Sequence, residues 1–422
     1  MPREIMPGVE AETVGDLLGD TTEFIEVADA LEMPRIEGTP DCPAPGIYFG
    51  MPDEIYHSIP ALSKTLIRYM LASPTICWAH SWLNPNREER KAEHLTVGKA
   101  YHAMILEGPD AYQARFYPAP SRDDYPDAID GVAEIKAAIE ARNAKPVSKV
   151  DAPDLGEGKT RPAKKEDWVA QLAALDRSIP IWDRIVAKAE RMAAGREMIS
   201  PDDDRRIRIA ARMIRQDPEL VKAFTGGWAE VTLIWRDERQ GVLCKARVDY
   251  LKLKAVIDLK SFANSRDRSI RNSIIREIAE HRYSLQPAHY LEGIEAVRKI
   301  VRKAGASAIF LWGQPEGEAS EDDLAAYKAR LAEAQDWALR WASYRGPDRW
   351  LWVFQQKGDA PVTRGFYHPL GGSIHSISKS MIVDGIRRFR EAVEIYGTDP
   401  WLDLGEIDEL TDEDIPAWGL EI

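Results

Sequence analysis

Val242–Lys260, VLCKARVDYLKLKAVIDLK, is the stretch on which the reading of this chain turns. It predicts two strands. In the first, Val242, Cys244, Ala246, Val248 and Tyr250 alternate with Lys245, Arg247 and Asp249, the two-residue period of a strand with one face in the core. In the second, Ile257 and Leu259 alternate with Asp258 and Lys260. If the strands pair antiparallel, two carboxylates and three cations share one surface. Two neighbouring carboxylates repel and raise a pKa, and a divalent cation between them removes that conflict. Hard oxygen donors without cysteine suit Mg2+, with Mn2+ as a substitute, better than zinc. Such an ion would polarise a phosphoryl oxygen and acidify a bound water. Lys260 could orient or help deprotonate that water and offset charge in the transition state. Metal-dependent phosphodiester hydrolysis is the expected chemistry, with Lys245 and Arg247 as expected DNA contacts. An isolated D-x-K arises by chance about once in a chain this long, so the weight rests on Asp249 one hairpin away and on the same-face cations.

The rest of the chain is compatible with that expectation. At 422 residues and 44% hydrophobic it can bury a sizeable core. No run of eighteen apolar residues occurs and no signal-like N-terminus is seen, so the expected location is the cytoplasm, with no membrane partner. Cys42, Cys77 and Cys244 lack the spacing of a disulfide framework, a zinc site or an iron–sulfur cluster. The net charge of −13 is unevenly spread. Residues 1–41 carry eleven acids and two bases, and residues 398–422 carry nine acids and no base. Each tail is therefore −9 and the body, 42–397, is +5. A mildly basic body can hold nucleic acid through local patches.

The expected organisation is an acidic flexible arm (1–41), a catalytic domain (42–397) with a helical insertion at about 131–225, and an acidic tail (398–422). Ser63 is a plausible N-cap for a helix over residues 64–72, and residues 94–108 read as a second helix. Residues 143–165 read as a flexible basic loop. Strands are expected at 228–235, 306–312, 350–356 and 363–368, and helices at 276–303, 320–344 and 378–395. The order helix, three strands, helix, strand predicts a mixed α/β layer with helices on both faces. Residues 251–254 form an odd connection, with no Gly, Asn or Asp for a tight turn. Glu230, in the strand before Asp249, could add an acid to the site.

With these elements placed, the chain resembles the RecB-type branch of the PD-(D/E)XK nucleases, and within it the exonuclease VIII (RecE-like) proteins of phages and prophages. Four matches carry the resemblance: Gly98 to His102 as G-x-x-x-H, LCKARVD through Asp249, IDLKS through Lys260, and QPAHY, Gln286 to Tyr290, as Q-x-x-x-Y. Val248 stands where many relatives have proline, and Ser261 where threonine is common. The resemblance implies a PD-(D/E)XK core and an active-site set of His102, Asp249, Asp258 and Lys260. His102, Asp249, Asp258 and the Leu259 backbone carbonyl would hold the metal, with Gln286 and Tyr290 alongside on one helix face. Gly98 would let the His102 helix approach the sheet. The resemblance further implies a Mg2+-dependent exonuclease that resects one strand of linear duplex, 5′ to 3′, as a ring-forming homo-oligomer working with a single-strand annealing protein. An endonuclease or flap nuclease with the same metal site remains an alternative, as does a non-catalytic DNA-binding or DNA-mimicking protein on a nuclease scaffold.

Overall fold

A computed structural model describes residues 29–403, apart from 88–92, 153, 155, 265–268, 316, 318, 347, 359 and 360. In chain order the strands are β1 (Gly46–Phe49), β2 (Phe116–Pro118), β3 (Lys149–Asp151), β4 (Thr160–Pro162), β5 (Glu197–Ile199), β6 (Trp228–Arg236), β7 (Leu243–Leu251), β8 (Ala255–Phe262), β9 (Ile309–Leu311), β10 (Arg349–Gln356) and β11 (Thr363–Tyr367). Seven of them form one mixed sheet in the order β11-β10-β8-β7-β6-β1-β9. The β1–β9 and β8–β10 pairs are parallel and the other four antiparallel. A parallel β8–β10 pair needs a crossover, supplied by the helices Ile270–Glu280, Leu285–Ala304 and Glu321–Ser343.

Local chemistry sets the two hairpins at the centre. Between β6 and β7, the Asp237 carboxylate accepts from the amides of Arg239 and Gln240, and Gly241 takes the positive φ of 62° that closes the turn. Between β7 and β8 only Lys252, Leu253 and Lys254 intervene, and the Lys252 amide donates to Ala255 O at 2.8 Å. The β7–β8 ladder then holds only two pairs, Leu251↔Val256 and Tyr250↔Ile257. Beyond Tyr250 and Ile257 the strands part, and the next residues along them are Asp249 and Asp258.

Helices cover both faces of the sheet. On one lies Leu285–Ala304, which packs with Ser373–Tyr396 and Lys64–Ala72. Gly293 permits that close packing, because a Cβ there would stand 2.6 Å from the Trp235 ring. The other face buries Tyr250, Ile257, Leu259 and Val353 against Leu106 and Ala223. Ser63 caps the Lys64–Ala72 helix by accepting from Leu66 N, as the sequence predicts.

The insertion contains the helices Val132–Glu140, Lys165–Leu175, Trp182–Ala193 and Pro201–Gln216. It has a small core of its own around Ile135, Ile139, Leu172 and Ile181. A second cluster joins Ile207, Ala210 and Ala211 to Ala100 and Tyr101, so the insertion braces the His102 helix. Where the sequence predicts a flexible basic loop, β3 and β4 form an antiparallel ladder, Lys149↔Pro162 to Asp151↔Thr160.

Several expectations need correction. The helix expected over 276–303 is two helices, divided at His281–Ser284, where Arg282 takes a left-handed φ of 48°. Pro287, in the first turn of the second helix, is the signal of that break, because a proline inside a continuous helix would lose an amide bond and clash with the preceding turn. The helix at 94–108 is α-helical over Glu93–His102 and a π-turn over Ala103–Glu107. Gly98 makes no close approach, since a Cβ there would meet nothing within 4 Å. Parts of both acidic tails are packed: the Leu31 amide donates to Gly241 O, Trp82 donates to Pro34 O, and Trp401 is fully buried beside Phe389. Residues 1–28 and 404–422 lie outside the described residues. No described helix is long and apolar enough to cross a membrane.

Candidate active site

The parting of β7 and β8 creates the site. Asp249 and Asp258 occupy its two sides, buried to 8% and 1% relative exposure. Asp249 Oδ2 accepts from the Leu259 amide at 2.8 Å. Amide and carbonyl of one residue in an extended strand face the same neighbour, so the Leu259 carbonyl is turned toward the same gap. Gln286 Nε2 donates to Asp258 Oδ1 at 2.5 Å, and the Lys260 ammonium lies 2.5 Å from Asp258 Oδ2. That second oxygen is buried and has the Lys260 ammonium as its one polar neighbour among the described residues.

His102 reaches the gap from the insertion side, at the junction of α-helix and π-turn, a local irregularity common at functional sites. Its Nδ1 lies 3.2 Å from Glu230 Oε1, and its Nε2 is 4.0 Å from Asp249 Oδ2. Glu230 also accepts from Arg247 Nε at 2.6 Å. Glu230 holds this position with a left-handed φ of 52°, an uncommon and costly backbone state for a residue with a Cβ. Tyr290, one turn after Gln286, is buried against Trp350 at a ring separation of 5.8 Å. The structure thus brings together His102, Glu230, Arg247, Asp249, Asp258, Lys260, Gln286 and Tyr290.

Lys245 is the exception. It is buried at 5% exposure, and its ammonium donates to the carbonyls of Tyr56 and Ile59. Lys245 lines the same cavity as Arg247 and Asp249, but its ammonium is turned onto those backbone carbonyls rather than left free. Burial pushes the Lys245 ammonium down to about 7. Sequence reading missed Lys64, Tyr283 and Asp53. Lys64 and Lys260 approach the Tyr283 ring at 5.9 and 5.4 Å, and burial with the nearby Lys260 charge brings Lys64 down to about 8. Asp53 and Lys64 line a cavity of about 390 Å³ together with His102, Glu230, Arg247 and Asp249. Only tertiary packing joins them, though the Ser63 cap signal did place Lys64 at the start of a helix.

The electrostatics are those of crowded carboxylates among cations. Burial, then the Asp258 charge, pushes Asp249 up to about 6. Burial opposes the charged form of His102, but Asp249 and Glu230 outweigh it and raise the imidazole to about 9. Burial also opposes the Lys260 ammonium, and Asp258 with Asp249 holds it above its usual range. For Glu230, burial is outweighed by His102 and Arg247, which lower its pKa. Among the described residues no three His, Cys, Asp or Glu side chains stand grouped as a ready-made ion cage. The donor set nonetheless fits a hard divalent cation. Two facing carboxylates, one with a buried oxygen met only by the Lys260 ammonium, form a site that leaves further positions to water and phosphate, as Mg2+ prefers.

A mixed sheet flanked by helices, with an aspartate and a D-x-K on two parting strands, defines a PD-(D/E)XK-like fold. Residues 187–310 match the family model described as a PDDEXK-like domain of unknown function (DUF3799). That span holds Glu230, Asp249, Asp258, Lys260, Gln286 and Tyr290 but not His102. No curated protein matches the chain. Among solved structures, the crystal structure of a "putative exonuclease" from Eubacterium rectale aligns over 81% of this chain and 87% of that one, at 13% identity and a TM-score of 0.37.

Proposed function

We propose that this chain is a Mg2+-dependent DNA exonuclease that hydrolyses one strand of linear duplex from its end. The observation that carries the reading is the convergence of Asp249, Asp258 and Lys260 where β7 and β8 part, with Gln286 fixing one oxygen of Asp258. Asp249, Asp258 and the Leu259 carbonyl, with His102 when neutral, would hold the ion. When bound, it supplies charge neutralisation at the scissile phosphate and a more acidic water. The residues of the chain do the rest. Lys260 presents a cation to the attacking water and to the phosphoryl oxygens. Gln286 keeps Asp258 from rotating, and Glu230 bridges His102 and Arg247 at the cavity wall. The choice of exonuclease, 5′ to 3′ polarity, ring assembly and an annealing partner rest on the motif resemblance to the exonuclease VIII branch.

The test uses linear duplex labelled separately on each strand, with Mg2+ or with chelator. Ordered release from one end, lost without metal, is expected. Asp258→Asn and Asp249→Asn should each lower cleavage by at least about 10³-fold. Covalently closed circles should survive. Rapid nicking of supercoiled circles, blocked by Asp258→Asn, would transfer the same site to an endonuclease, and full activity of Asp258→Asn would overturn the site altogether.

A further inference from the structure

A second cavity lies on the insertion, also of about 390 Å³, and it shares no lining residue with the cleft around Asp249. Its rim carries Arg177, Arg184, Lys188 and Arg191, and its floor Ile179, Pro180 and Ile185. Arg184, Lys188 and Arg191 stand at i, i+4 and i+7 on the Trp182–Ala193 helix, hence on one face, about 6 and 10 Å apart along its axis. All four cations are exposed, and none has an ion pair or hydrogen bond among the described residues. Arg142, Arg161, Lys165 and Arg208 of the insertion pair with aspartates, whereas these four cations gather unpaired around one concavity. Four like charges without an ion-pair partner around one concavity repel each other, and a bound polyanion would relieve that repulsion.

We propose that this cavity binds single-stranded DNA, holding its phosphates on the four cations and a base on the aliphatic floor. The choice of a single strand follows from shape and chemistry. A duplex keeps its bases stacked inside a wide rod and presents none of them to an apolar floor, whereas an unpaired strand combines backbone charge with exposed base faces. The proposal takes DNA as substrate from the exonuclease reading and adds where the strand spared by resection is held.

The test is binding of a fluorescein-labelled oligothymidylate to the full chain in chelator, followed by anisotropy across salt concentrations. Arg184→Gln/Lys188→Gln/Arg191→Gln removes charge with a good helix former, so the exposed helix is preserved. Affinity should fall at least about tenfold, and the slope of log K against log salt should flatten by about 2, from roughly 0.7 per lost phosphate contact. Arg184→Lys/Arg191→Lys, which keeps the charge, should bind within about threefold of wild type, and Asp258→Asn should bind normally. Unchanged affinity in the triple variant overturns the proposal. So does an equal loss for duplex of the same length, displacement by thymidylate mononucleotide at equal phosphate, or equal competition by polyglutamate, which would mark a duplex, nucleotide or acidic-protein site respectively. Charge-dependent binding by a chain that cleaves nothing with Mg2+ would sink only the nuclease reading, while cleavage blocked by Asp258→Asn alongside normal binding by the triple variant would sink only this one.

Discussion

Glu230 is where local cost and site geometry meet. A left-handed backbone costs a side-chain-bearing residue about 1–2 kcal/mol, and glycine would relieve it. Against that stand two contacts of the carboxylate with His102 and Arg247, each worth about 1.5–3 kcal/mol net when charge-assisted. The contacts outweigh the strain, so Glu230→Gly should lower unfolding free energy by about 1–5 kcal/mol. Cleavage should fall at least about tenfold, since His102 and Arg247 lose their bridge. Denaturant unfolding and initial rates measured on the same preparation check this; the same stability loss with normal rates would make Glu230 a folding residue only. The sequence placed Glu230 in the right strand but gave no sign of its φ, because a bulky acid in the left-handed region is visible only once its partners are.

Among the elements, the Leu285–Ala304 helix carries Gln286 and Tyr290 to the carboxylates, and Gly293 sets how closely it lies on β6. The sequence reading assigned that kind of role to Gly98 instead, from its place one turn before His102. Gly98→Ala should raise stability by about 0.5–1 kcal/mol and leave cleavage unchanged, because the added methyl meets open space in a helix. Gly293→Ala should lower stability by about 1–3 kcal/mol and slow cleavage by displacing Gln286, two turns away. Thermal melts and rates on both variants decide it, and reversal of the two effects would refute the packing argument. What alternation could show, it showed: β6, β7 and β8 with their acids lie close to the expected residues. It could not show that the Lys245 ammonium is buried and held by the carbonyls of Tyr56 and Ile59. The break that brings Tyr283 beside two lysines is legible in Pro287, which a helix tolerates only in its first turn, although the expected helix ran through it.

For the whole molecule, charge composition drew the tail boundary at residue 398, and packing draws it later. Trp401 is fully buried against Phe389, its carbonyl accepts from Thr75, and Trp78 donates to Thr398 O. Ending the chain after Gly397 should therefore cost about 3–5 kcal/mol, the usual loss for a buried tryptophan. Ending it after Asp403 removes seven of the nine tail acids and should leave both melting temperature and cleavage of linear duplex close to the full chain. A 404–422 deletion that melts early or loses cleavage would show the acidic segment to be part of the catalytic body. The +5 charge of residues 42–397 then acts on DNA with less opposition, and affinity should rise at low salt rather than fall.

The amide of Leu259 donates to a side chain, Asp249, and that single bond makes the backbone of β8 a spectroscopic gauge of the carboxylate. In the metal-free protein the Leu259 amide resonance should move with pH about a midpoint near 6, the value to which burial and Asp258 push Asp249. Below that midpoint the neutral carboxyl is a poorer acceptor, so the amide should shift upfield and exchange with solvent faster. Because this acid's pKa is raised on folding, its contribution to stability is greatest below about 4 and is lost as pH rises through 6. Asp249→Asn should abolish the titration while leaving the amides of Val256 and Ile257 unmoved. A flat Leu259 resonance between pH 4 and 8 in the wild-type protein would mean that the carboxylate and the strand are not joined as described.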